Sequence, residues 1–163
     1  MNQHQLKKAI RYADVRCSNL GGKLTEKRQQ VLEILLKAKK PLSAYELTDQ
    51  FNKVMDVPIL AMSVYRILDF LESVDLVHRL KSENKFMACS HKSEGCQHQL
   101  SMFLICGSCN KVIEMNDAND KIKALFEQVE ILGFSPGESQ LEISGVCCQC
   151  KAKLPKVNKR KLE

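Results

Sequence analysis

Apolar positions recur every three or four residues over the first half of the chain, and after Asp75 the period drops to two. Leu6, Ile10, Ala13 and Cys17 trace one face of a first helix, which Gly21-Gly22 closes. "LTEKRQQVLEILLKAKKP" predicts a second amphipathic helix with Val31, Leu32, Leu35 and Leu36 inward, stopped by Pro41. "SAYELTDQFNKV" opens with Ser43 and Glu46 at capping-box spacing, a helix-start signal. Pro58 then precedes "ILAMSVYRILDFLESVDL", a fourth helix with Val64, Ile67, Leu68 and Leu71 as its buried stripe.

The period-two stretches "LVHRL" and "KFMAC" predict a hairpin around the polar turn "KSEN". Helices followed by such a hairpin outline a winged helix, in which the last helix enters the DNA major groove. Residues 90–99, "SHKSEGCQHQ", read as a polar connector or hinge. "LSMFLIC" and "KVIEM" read as strands. "DANDKIKALFEQVEILGF" reads as a helix with Ile122, Leu125, Phe126, Val129 and Leu132 on one face, and Gly133 as its stop. "SQLEISGVC" is a further strand, and residues 153–163 form a basic tail. The expected fold class is α+β: a winged-helix DNA-binding domain over 1–89, then a small α/β dimerisation domain over 100–152.

Charge adds a division of labour. Residues 1–90 hold 15 Lys and Arg against 10 Asp and Glu, residues 91–150 hold 4 against 8, and residues 151–163 hold 6 against 1. A basic part joined to an acidic part suits a polyanion-binding module attached to something with another job, although a scattered solvated surface would read similarly. No apolar run approaches the roughly 20 residues of a membrane span, and "MNQHQLKKAIRYADV" lacks a signal-peptide apolar region. A cytoplasmic protein without membrane contact is expected. In that compartment eight cysteines favour metal thiolates over disulfides.

Cys106 and Cys109 form one C-x-x-C step, and Cys147 and Cys150 form a second after 37 intervening residues. Each step places two thiolates on one side of a tight turn, and two such turns give a tetrahedral sulfur set suited to Zn²⁺. Cys148 competes with Cys147 for the third position, with spacing favouring Cys147. Buried, unliganded thiols are the plainer alternative. Cys17 reads as a core residue.

A second donor set is spread over the junction of the two expected domains. His78 lies on the first wing strand, Cys89 ends the second, His98 ends the connector and Glu114 follows the first Cys pair. One thiolate, two imidazoles and one carboxylate make a reasonable tetrahedral zinc site, with His91 and Cys96 as nearby alternatives. Taken singly, each residue has a duller reading as a hairpin or surface side chain.

The succession "LTEKRQQVL", "SAYEL", "SVYRILDFLESVDLVHRL", "MFLICGSC" and "GVCCQC" resembles the ferric uptake regulator (Fur) superfamily, most closely its zinc uptake regulator (Zur) branch, over about residues 20–150. The resemblance implies a metal-responsive repressor, dimeric on a palindromic DNA operator. It implies a structural zinc on Cys106, Cys109, Cys147 and Cys150 and a regulatory zinc on His78, Cys89, His98 and Glu114, two per subunit. The tail departs from that branch, having lysines and no histidine.

Ser63, Tyr65 and Arg66 lie on the side of the fourth helix opposite its apolar stripe. Arg can bond a guanine edge in two places, and an aromatic ring can pack on thymine methyls. The resemblance points to Tyr65 as a base contact, with Arg66 and Tyr45 near bases or phosphates. Arg28, Lys27 and Ser63 are candidates for phosphate contacts, which position without specifying. Arg66 could instead pair with Asp69 or Glu72. No H-E-x-x-H, G-x-S-x-G or phosphate-loop pattern occurs, so an enzyme with a small-molecule substrate is not expected. A peroxide-, iron- or manganese-responsive regulator of the same fold is the closer alternative.

Overall fold

The computed structural model describes residues 1–89, 101–115, 119–135 and 140–153. The connector with His91, Cys96 and His98, and the tail beyond residue 153, lie outside the described residues. The chain divides into two units, Met1–Gln99 and Leu100–Glu163.

In the first unit, helices α1 (Gln3–Asn19), α2 (Glu26–Lys37), α3 (Ala44–Val54) and α4 (Ala61–Ser73) precede strands β1 (Val77–Leu80) and β2 (Lys85–Ala88). The strands pair antiparallel with His78 opposite Met87, joined by a turn in which Asn84 takes a positive φ. The helices bury the side chains their periodicity marked: Ala13 and Cys17 on α1, Val31, Leu32 and Leu35 on α2, and Val64, Ile67, Leu68 and Leu71 on α4. Leu47, Phe51 and Phe86 complete one continuous core. This is a winged helix.

Two helix ends differ from expectation. The second helix stops at Lys37, well short of Pro41, because the chain turns extended at Ala38. Leu42 then exchanges both backbone hydrogen bonds with Phe86, at 2.9 and 2.7 Å, adding a short edge to the wing. The fourth helix starts only at Ala61, with Leu60 as its N-cap. Ser43 and Glu46 do form a reciprocal capping box on α3.

The second unit holds β3 (Ser101–Cys106), β4 (Val112–Met115), α5 (Asn119–Ile131), β5 (Gln140–Gly145) and the short α6 (Cys148–Lys151). The sheet order is β4-β3-β5, with β3 antiparallel to β4 and parallel to β5. Period two sends Phe103 and Ile105 to a buried face with Ile122 of α5 fully buried as well. Gly133, at φ +82°, ends α5 as anticipated: its N–H bonds Glu130 O and the Phe134 N–H bonds Val129 O, a Schellman pattern.

The predicted apolar stripe of α5 is only partly covered. Leu125 is 46% and Leu132 77% exposed, and Ile113 and Ile143 are each 45% exposed on the opposite sheet face from Phe103. A three-stranded sheet with one helix has too little surface to bury both.

Candidate metal centre and nucleic-acid interface

Parallel, in-register pairing of β3 with β5 puts Cys106 opposite Gly145, so both strands run out at the same end of the sheet. Each exit leads into one C-x-x-C turn. After β3 the chain reverses tightly: the Asn110 N–H bonds Cys106 O at 2.9 Å, and Asn110 adopts φ +56°. After β5, Cys147 caps α6, whose first turn is closed by the Lys151 N–H on Cys147 O at 2.8 Å. The Gly107 N–H bonds Gly145 O at 3.0 Å and ties the two turns together.

The sulfurs of Cys106, Cys109, Cys147 and Cys150 consequently lie within 4.8 Å of one another. Cys109 Sγ and Cys147 Sγ are 3.8 Å apart. Four Zn–S bonds of about 2.3 Å in a tetrahedron place their sulfurs about 3.8 Å apart, so this donor set fits zinc. Cys147, rather than Cys148, joins the cluster, and Cys148 is exposed. Cys17 is fully buried on α1, a core residue.

Electrostatics within the cluster run in opposite directions. The Cys147 N–H, 3.3 Å from Cys106 Sγ, together with the N–H groups of Cys109 and Ser108, brings the Cys106 thiol down to about 6. Sharing hydrogen bonds with Cys109 and Cys147, and burial, push Cys150 up to about 12. The backbone thus stabilises one thiolate, while crowding opposes a full set of four without a cation. Reading the sequence missed these amide donors, whose signal was the C-x-x-C turn itself and its glycine.

Of the second donor set, His78 and Cys89 belong to the wing. His78 is on β1, and Cys89 follows β2, its N–H bonding Leu76 O at 3.0 Å. A ring nitrogen of His78 and the Cys89 sulfur lie within 4.8 Å. Both side chains are buried, Cys89 at 7% exposure. Glu114 sits on β4, opposite Phe103. His98 lies outside the described residues.

The expected DNA-contacting residues are arranged unequally. Ser63 and Arg66 are exposed on α4, Lys27 is exposed on α2, and Tyr45 on α3 is 67% exposed. Tyr65 is half-buried, its ring edge-on to Phe86 of the wing with centroids 6.5 Å apart. Arg28 makes local contacts: its guanidinium stacks 3.3 Å above the Phe70 ring, and Nη1 donates to Lys23 O at 2.6 Å.

The model of the ferric uptake regulator family matches residues 19–144. The chain belongs to this family. It is 26% identical to the zinc uptake regulation protein of Escherichia coli over 92% of this chain and 85% of that one. It is 32% identical to the ferric uptake regulation protein of Staphylococcus epidermidis over 82% and 89%. Among solved structures, a zinc uptake regulator complexed with zinc and DNA superposes with a TM-score of 0.76 at 26% identity, covering 93% of this chain and 95% of that one. As a member of the ferric uptake regulator family, the chain is a metal-responsive, DNA-binding transcription regulator and not an enzyme. No described helix is long and apolar enough to cross a membrane.

Proposed function

We propose that this chain is a zinc-responsive repressor of zinc-uptake genes, acting in the cytoplasm as a homodimer on palindromic operators. Identity to these two curated relatives does not separate the branches, since the iron-named one matches at 32% and the zinc-named one at 26%. Donor chemistry favours zinc. The observation that carries the reading is the buried Cys89 thiol beside the His78 imidazole in the wing. Thiolate with imidazole suits Zn²⁺, whereas Fe²⁺ or Mn²⁺ sensing would favour imidazole and carboxylate.

In this reading residues 1–89 bind DNA, 90–99 connect, and 100–152 dimerise. Cys106, Cys109, Cys147 and Cys150 hold a structural zinc that cross-links the ends of β3 and β5. His78, Cys89, His98 and Glu114 hold the regulatory zinc. Zn²⁺ held there would supply the positive charge that four donors need. Donors spread from residue 78 to residue 114 then restrain the chain beside the recognition helix α4. That restraint removes ordering entropy otherwise lost on binding DNA. The exposed apolar residues of β4, β5 and α5 support burial against a second copy, and a two-fold pair would present two α4 helices to a palindrome.

The test is binding to a palindromic duplex at buffered free zinc, with iron(II) and manganese(II) alongside. Affinity should rise with zinc alone. A rise with iron or manganese instead would move the chain to another branch, and metal-independent binding would remove the sensor role.

A further inference from the structure

The leading end of α4 breaks a local rule. Leu60 is its N-cap and makes no side-chain cap bond, although Ser, Thr, Asp or Asn there would satisfy a free N–H. Leu60 is 78% exposed and Met62, two residues on, is 66% exposed. Val54 and Val57, in the approach from α3, are 74% and 64% exposed. Capping boxes start α1 and α3 of the same unit, so an exposed apolar start to α4 points to a partner surface.

Helical geometry fixes which way Met62 points. With Val64, Ile67, Leu68 and Leu71 buried, a 100° step per residue places Met62, Arg66 and Asp69 on the ridge directly opposite. Met62 and Arg66, four apart, are neighbours on that ridge. Met62 is therefore continuous with the polar side chains of a recognition helix, whose N-terminal residues approach base edges in this fold, and Leu60 precedes it at the exposed N-cap. The first 90 residues are net basic, 15 cations against 10 anions, which favours nucleic acid over a second copy of the same basic module as the occupant. In the major groove the apolar feature that distinguishes one base is the C5-methyl of thymine.

We propose that Leu60 and Met62 read thymine methyl groups in the major groove, setting specificity beside Arg66. This rests on the reading of α4 as the DNA-contacting helix. It names residues outside the polar and aromatic set, and it predicts thymines at the operator positions facing the start of α4.

The experiment uses the full-length, zinc-loaded protein and a duplex selected from a random-sequence pool. Thymines in one half-site are replaced singly by deoxyuridine, which removes the methyl and nothing else. At one or two positions wild-type affinity should fall about fourfold, the value of one buried methyl. The Leu60→Ser/Met62→Gln variant should bind the thymine and uracil duplexes equally. Leu60→Ser introduces a favourable cap, so the variant should melt no lower than wild type. Uracil tolerance in the wild type overturns the proposal. So does a uracil penalty that persists in the variant, which would give the methyls to another side chain. Loss of cooperative binding in the variant, with uracil tolerated, would make the patch a contact between copies. Absence of zinc-dependent DNA binding in the wild type would sink the functional reading itself.

Discussion

Cys106 and Gly145 are register partners on parallel strands, and this one pairing brings the two Cys-x-x-Cys turns together. The metal cluster and the sheet therefore depend on each other. Cys106→Ser, or removal of zinc by a strong chelator, should unfold the second unit while leaving the first intact. Structural zinc contributes on the order of 10 kcal/mol or more in small thiolate sites, against about 5–15 kcal/mol for a whole domain. Hydrogen exchange should show protection lost over β3 to β5 and retained over α2 to α4.

Cys89→Ala should behave differently. It leaves the four-sulfur cluster untouched and removes the thiolate from the wing pair. Zinc content should fall from two to one per subunit. Zinc should no longer raise DNA affinity, a loss of about 5–150-fold, the usual size of an allosteric coupling. The melting curve of the second unit should be unchanged. If both variants lost the same structure, the division into structural and regulatory zinc would be wrong.

Gly22 and Phe70 form a close contact that a methyl group cannot share. A Cβ at Gly22 would sit 2.8 Å from Cε2 and Cζ of Phe70, whose ring also carries the Arg28 guanidinium. Gly22→Ala should destabilise the first unit by about 1–3 kcal/mol, the usual range for overpacking. Combining it with Phe70→Leu should recover part of the loss in a thermal melt, because the clash is with the ring. Additive losses would disprove that coupling.

The α3 capping box gives a pH dependence with a definite sign. The Ser43 backbone N–H, 2.7 Å from Glu46 Oε2, holds the Glu46 carboxyl below its ordinary value, against the opposing effect of burial. A lowered carboxyl stabilises the fold fully above about 4.5, its unfolded value, and this is lost as pH falls through the folded value. Glu46→Gln should therefore lower the melting temperature at neutral pH and matter less at about pH 3. Ser43→Ala should cost about 1 kcal/mol, about 4–8 °C for a unit of this size.

Much of this molecule was legible along the chain. The buried faces of α2 and α4, the α3 cap, the wing hairpin and the Gly133 stop all follow from periodicity or from one residue's backbone preference. The end of α2 did not, because the pairing of Leu42 with Phe86 overrides a local tendency to continue toward Pro41. Nor did the partial exposure of the α5 stripe, since periodicity shows that a face is apolar but not what covers it. Nor did the stacking of Arg28, a candidate phosphate ligand, on Phe70, a contact between residues far apart in the chain.

The sequence by itself determined the kinds of donor atom, their pairing into two Cys-x-x-Cys turns and the helix faces, all properties of residues a few positions apart. Spacing favoured Cys147 over Cys148 as the third sulfur, but tertiary structure decided how the two are turned. Cys147 and Cys148 are adjacent and chemically equal, and only the register of β5 on β3, with α6 starting immediately after Cys147, turns one sulfur inward and leaves the other in solvent.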